Sequence, residues 1–319
     1  TKEGAHSRAR ILHCKDMTGK EINSKLIAQV KELKNVSIFE NSTLVDLLVA
    51  GDRCHGAVLR DQAGKLSNVY AQSTLLATGG IGGLFSKTTN FAHLTGDAIA
   101  IALKHGIRVK DLDYVQIHPT SLYTGRSGRA FLMSESLRGE GAILVGKDGQ
   151  RFADELLPRD LLTKAIYTQM EKDRLPYVRM LLKGHVEESI AGRFPGIHAH
   201  CLQEGYDLVE DYIPIVPAQH YFMGGIAVDL NSKTSLANLY AAGETSCNGI
   251  HGKNRLASNS LLESLVFSKR AAQAIDESFQ CALPYPFPEP DARSIEAGLK
   301  EANRKLLEEI GIEEEAHAK

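Results

Sequence analysis

Apolar positions along the chain alternate between a helical spacing and short β-rich runs, and the changes between them mark its elements. Lys20 to Leu33 has the helical spacing. From Val36 to Thr78 the runs VSIFE, TLVDLLVA, HGAVLR and STLLATGG are separated by GDR and DQAG turn sequences, which predicts a meander followed by one buried strand. Asp97 to Lys104 brings small and apolar residues back to helical spacing, and Gly106 stops it. A helix packed on a sheet is expected there.

From about Tyr114 to Tyr221 the texture changes to helices, loops and charged stretches, with Pro158 of PRDLLTKAIYTQMEK placed at a helix start. β-rich sequence then returns in GGIAVD and SLANLYAAGE, followed by a Gly- and Asn-rich loop and an apolar helix over Ser260 to Ile275. The return implies that residues 114–221 are a second domain inserted into the first. Pro284 to Pro290 reads as a proline-spaced linker. Ala292 to Ala318 reads as a charged helix with a stripe at Ile295, Leu299, Leu306, Leu307 and Ile310. Such a stripe needs a partner, and it predicts the opening of a further helical domain that this chain does not complete.

Composition narrows the picture. The 319 residues exceed one ordinary domain, and 43% hydrophobic residues can fill a sizeable core. With 37 Lys and Arg against 39 Asp and Glu, the chain has no field for nucleic acid or an anionic membrane, so any anion site is local. Cys14, Cys54, Cys201, Cys247 and Cys281 are odd in number and never form a CxxC pair. That argues against a disulfide framework or a structural zinc site and fits a reducing cytoplasm. No apolar run reaches the about 18 residues of a membrane span, and no signal-peptide pattern opens the chain. Thr1 is not a start Met, and something is expected to precede it.

The candidate chemistry clusters in loops. TGGIGG after STLLA is Gly-rich but spaced wrongly for GxGxxG, and a tight turn alone would explain it. LYAAGETSCNGIHGKNRLASNSLLESLVFSKRAA is the stronger signal, combining a buried strand, Glu244 after Gly243, a polar loop and a helix opening near Ser260. A helix N-terminus suits a flavin edge or a phosphate, and Glu244 suits ribityl or ribose hydroxyls. In the same loop Arg255 is a candidate carboxylate clamp. His118 in QIHPTSLY and His220 in VPAQHYFMGG read equally well as core histidines. Ser134 and Glu135 in FLMSESLRGEGA offer a donor and an acceptor, or a helix cap. Arg159 resembles a surface ion-pair member, and HAHC at 198–201 lacks a fourth metal ligand. No metal is expected.

Taken in order, QIHPTSLY, FLMSESLRGEGA, RFADELLPRDLLTKAI, VPAQHYFMGGIAVD and AAGETSCNGIHGKNRLASNSLLES resemble the flavoproteins of the succinate dehydrogenase and fumarate reductase class. NRLASNSLLE, SES and EGAHSRARILHCKDMTGKEI resemble the L-aspartate oxidase branch more than the respiratory one. The resemblance implies an α/β fold with an α+β insertion. Residues 1–113 and 222–285 would form a partial FAD domain of the two-dinucleotide-binding type, 114–221 a capping domain, and 286–319 a linker and the start of a helical C-terminal domain. It implies that Gln116, His118, Ser134, Glu135, His220 and Arg255 surround a dicarboxylate, with Ser134 in place of the usual Thr. Arg159 would be the capping-domain arginine of proton transfer, and Gly79, Gly80, Asp97, Glu244, Ser260 and Leu261 would contact FAD.

The implied reaction is hydride transfer from L-aspartate to FAD, giving iminoaspartate, with oxygen or fumarate as acceptor and quinolinate synthase as a candidate partner in NAD biosynthesis. The alternatives are a soluble fumarate reductase or succinate dehydrogenase flavoprotein, and a fragment that binds no FAD and is inactive alone. The last rests on the absence of GxGxxG from these 319 residues.

Overall fold

A computed structural model of the chain describes residues 6–186, 189–280 and 285–312. Cys281, Pro284 and the expected helix beyond residue 312 lie outside them. After α1 (Thr18–Lys31) comes the meander: β1 (Thr43–Ala50), β2 (Arg53–Arg60) and β3 (Leu66–Tyr70), paired antiparallel in sequence order. The expected VSIFE strand does not form. Residues 36–40 are irregular, Val36, Ile38 and Phe39 are exposed, and no neighbouring strand offers them a ladder. Polar LSNVY, by contrast, becomes β3 because β2 pairs it from Gly56↔Tyr70 to Arg60↔Leu66.

β4 (Thr74–Leu76), the buried strand, leads into the Gly-rich loop, β5 (Lys87–Thr88) and α2 (Asp97–Lys104). After β6 (Val109–Lys110) come β7 (Val115–Leu122), β8 (Gly128–Arg129), α3 (Glu135–Gly139), β9 (Ile143–Val145), α4 (Arg159–Asp173), β10 (Val178–Leu181), α5 (Ile190–Arg193) and α6 (Pro195–Gln203). Then follow β11 (Ile213–Phe222), β12 (Gly225–Ala227), β13 (Leu239–Ala241), β14 (Ser246–Cys247), α7 (Asn259–Ser278) and α8 (Ala292–Ile310).

β13 lies parallel to β4, joining segments far apart in sequence. β12 pairs with β14 and β6. In the six-stranded sheet β11 is central, antiparallel to β7 and β10 and parallel to β5. The α/β class with an α+β insertion is therefore what the chain adopts.

Two hydrophobic cores flank β11. One surrounds α2, whose run Ala98 to Ala102 is wholly buried among Leu76, Ile81, Phe222, Ile226 and Leu239. The other holds Leu122, Met133, Leu144, Leu162, Met180, Phe194 and Ile213. The stripe of α8 finds its partners in α2 and β1: Leu306 joins the α2 core, and Ile295 packs with Val45 and Leu48. Lys104 and His105 at the end of α2 both hold the buried Asp46 of β1, at 2.5 and 2.6 Å. Leu306 is 1% exposed, so Leu306→Ala should cost about 2–5 kcal/mol in chemical denaturation.

Candidate functional site

β7 and β11 bring the central residues together. Their register sets Gln116 opposite Tyr221 and His118 opposite Ala218, with an extra residue in β7 on one side of the Ala218–Gln219 pairs and an extra residue in β11 on the other. A bulge re-aims the side chains beside it, and His118 and His220 end up edge to face, 4.9 Å apart. The hydroxyl of Thr89, just after β5, lies 2.7 Å from Nδ1 of His220, and Thr120 N–H donates to Nδ1 of His118 at 3.1 Å. Nε2 of neither ring bonds a described residue. Burial first, and then the nearby guanidinium of Arg159, hold both histidines well below their ordinary pKa. Both are neutral at pH 7.

Arg159 opens α4 after Pro158, as the sequence predicts. A buried cation at a helix N-terminus opposes the helix dipole, and its position is held by specific bonds instead. Nε donates to Glu135 at 2.8 Å and Nη1 to Gln116 at 2.7 Å. Gln116 in turn donates to the Arg255 carbonyl (2.8 Å) and to Asn254 (3.0 Å). Glu135 opens α3 and also meets Arg138 at 3.4 Å. The Ser134 hydroxyl accepts from Ser136 N–H and so caps α3. Arg255 is 4% exposed. Among the described residues its side chain makes one long hydrogen bond, to Ser260 at 3.3 Å, and its buried Nε has no partner. Burial, with Arg159 adding to it, lowers the Arg255 pKa to about 10.

Glu135, Pro158, Arg159, Asn254, Arg255 and Ala257 line one small cleft. Two buried guanidiniums, Arg138 and Arg159, pair with one buried carboxylate, Glu135, and the buried guanidinium of Arg255 nearby pairs with no carboxylate among the described residues. Such a surplus of buried positive charge calls for an anion.

The residues expected to hold FAD stand in a second group. Gly79 has φ +78°, and a Cβ on Gly80 would lie 2.6 Å from Glu244 Oε1, so only glycine lets that loop approach the carboxylate. Glu244 takes the Phe222 N–H at 2.9 Å, and burial raises its pKa to about 7. The α7 N-terminus has no side-chain cap, Ser258 stands before it in the left-handed region at φ 64°, and Leu261 is 39% exposed. Uncapped helix N–H groups and a carboxyl beside a glycine loop fit a flavin edge and its polyol chain. Asp97 opens α2 and accepts from Thr95 at 2.9 Å; no hydrogen bond joins it to the others. His200, from the HAHC run, stacks on Phe131 at 3.7 Å.

The residues not singled out from the sequence are Thr89 and Asn90, and Gln219, Tyr221 and Glu263, which lie inside the quoted motifs. Thr88 and Asn90 bond Gln219, and Asn90 also bonds the His220 carbonyl, fixing that strand. Arg138 sits inside the LRGEGA motif, where its Arg-Gly-Glu-Gly turn was the available signal.

The histidines and Glu244 set the pH dependence of stability. Between pH 5 and 6.5 the unfolded chain binds two protons that folded His118 and His220 exclude. Folded Glu244, ordinarily near 4.5 and here about 7, binds one that the unfolded chain does not. The balance favours the unfolded state as pH falls, by at most about 1.4 kcal/mol per pH unit. Urea titrations at pH 7.5 and 5.5 should show lower stability at 5.5, and Glu244→Gln should steepen the loss. Stability that rises on acidification would contradict the buried neutral histidines.

Residues 1–261 match the family of the FAD binding domain. The chain is 52% identical over 277 residues to the L-aspartate oxidase of Clostridium perfringens, covering 86% of this chain and 63% of that protein. It is 51% identical to that of Clostridium acetobutylicum, over 87% of this chain and 64% of the relative. The chain thus spans just under two thirds of the length of these relatives. Among solved structures, a quinol fumarate reductase of E. coli matches with TM-score 0.81 and 30% identity over 96% of this chain and 55% of that one. The Mycobacterium smegmatis Sdh1 structure matches with TM-score 0.71 and 29% identity, covering 94% of this chain and 53% of that one.

Proposed function

Because the chain belongs to the FAD-binding flavoprotein family of succinate dehydrogenase and fumarate reductase, we propose that its protein oxidises L-aspartate to iminoaspartate, with oxygen or fumarate as final acceptor. The observation that carries this reading is the buried Arg255 beside Arg159, two cations lining one cleft, with the buried Nε of Arg255 unpartnered among the described residues. A four-carbon dicarboxylate supplies the two negative charges the cleft lacks. Its one carboxylate would take Arg255 as a bidentate partner, and the other the Nε2–H groups of His118 and His220. The similarity to L-aspartate oxidases at 52% and 51% identity supports an α-amino dicarboxylate over succinate.

FAD, when bound, supplies the two-electron acceptor for the hydride of the substrate's amino-bearing carbon. Gly79, Gly80, Glu244, Ser260 and Leu261 would hold it, with Asp97 beside them. Arg159, fixed by Glu135 and Gln116, would act on the proton that moves in the reaction or on the charge that develops there. Iminoaspartate is short-lived in water, which suits delivery to quinolinate synthase on the way to NAD.

The test is an oxygen-consumption assay on the FAD-loaded full-length protein. L-Aspartate should be oxidised, with fumarate able to replace oxygen, and succinate should not. Oxidation of succinate with L-aspartate untouched would instead establish the reading favoured by the fold match to quinol fumarate reductase.

A further inference from the structure

We propose that Glu263 is a positioning residue for Arg255, acting through the ring of Tyr221; the inference rests on the reading of Arg255 as the carboxylate clamp. A clamp must stand still before its ligand arrives, yet among the described residues Arg255 has no carboxylate partner and its side chain makes only one long hydrogen bond. What lies against it is an aromatic face: its guanidinium carbon is 4.3 Å from the centroid of Tyr221. That stacking can orient a guanidinium only where the ring itself is fixed.

The ring is fixed from its far edge. Tyr221 O–H donates to Glu263 Oε2 at 2.7 Å, and Glu263, on α7, is 3% exposed. The same carboxylate meets His251 Nε2 at 2.7 Å and takes the Asn248 amide at 2.7 Å. His251 packs edge-on to Tyr221, 5.6 Å away. Asn248 and His251 belong to the loop that carries Arg255, and Tyr221 belongs to β11. One carboxylate therefore fastens the loop and the ring it stacks on to a single point of α7. A buried acid that met no other demand would be costly to keep, and these three bonds satisfy it while leaving Arg255 free of any anion that would compete with substrate.

Two measurements on the FAD-loaded full-length protein test this. The first needs no substrate. The Arg255 Nε–H resonance in a ¹⁵N spectrum, assigned by its loss in Arg255→Leu, should carry the upfield ring-current shift of a proton above Tyr221. Glu263→Ala should return it towards the position of a free arginine, and Glu263→Gln, which keeps an acceptor for the phenol, should hold it. A shift retained in Glu263→Ala overturns the proposal.

The second is succinate binding by calorimetry. The dissociation constant should rise on the order of tenfold in Glu263→Ala and recover most of that in Glu263→Gln. In turnover, KM should move more than kcat. Glu263→Ala that lowers Tm and leaves the succinate affinity intact makes Glu263 a stabilising residue only, and refutes the positioning role. Parent protein that carries the ring-current signature but binds no dicarboxylate refutes the clamp reading and leaves the geometry of Glu263 standing.

Discussion

Arg255→Leu is expected to lower kcat/KM for L-aspartate by about 10²- to 10⁴-fold, the 2–5 kcal/mol or more that follows from leaving a buried carboxylate without its charged partner. The residue's surroundings say how the loss should divide from stability. Its pKa, lowered to about 10, already records the cost of keeping that charge buried. Removing an unpaired buried cation relieves the fold of that cost, so Tm should hold or rise while activity collapses. Steady-state kinetics beside a thermal melt check both halves. A specificity constant unchanged by the substitution rules out Arg255 as the clamp, and a large drop in Tm would mean that the side chain serves the fold.

Arg159→Lys should be nearly as damaging, but in kcat. An ammonium cannot reproduce the planar fork that reaches Glu135 and Gln116 from separate nitrogens, 2.8 and 2.7 Å away. A positioned proton-transfer group is worth about 10²–10⁴-fold, and that is the expected loss in kcat. KM should change much less, because Arg255 and the two histidines remain. Glu135→Gln keeps an oxygen for Arg159 and should fall between Arg159→Lys and the parent. A kcat within threefold of the parent for Arg159→Lys, on the scale of an ordinary loss of about 0.6 kcal/mol, would place the proton chemistry elsewhere.

Much of this site could be read from residue order because its members stand where local chemistry is least ambiguous. Gly106 does end α2, and Pro158 does sit at the start of α4, so Arg159 and Asp97 were already legible as first residues of helices. Arg255, Glu244 and Ser260 could be grouped because fewer than twenty positions separate them. What no run of residues announces is partnership across distance. The six-stranded sheet is assembled from β5, β7, β8, β9, β10 and β11, and the register of β7 against β11, bulges included, is what turns His118 towards His220.

The misses have the same origin. VSIFE has the composition of a strand and lacks a neighbour to pair with, whereas LSNVY lacks the composition and has the neighbour. The stripe on α8 foretold burial correctly, but an amphipathic face says nothing of what buries it; the partners were α2 and β1 within the chain. Tyr221 and Glu263 went unnoticed because a tyrosine in a strand and a glutamate in a helix are ordinary until three bonds close on one carboxylate.

Arg255 and Ser260 are five positions apart and joined by the bond from Nη1 to Oγ. The proposed substrate contact and the first turn of the proposed cofactor helix are thus one short stretch of backbone. Whatever orders that stretch for one guest has already met the entropic cost for the other. On the proposed reading the two affinities would be reciprocal: L-aspartate or a dicarboxylate analogue would raise the affinity for the isoalloxazine by the same factor that the flavin raises affinity for the acid. Filling either site would then make the protein hold the other guest more firmly.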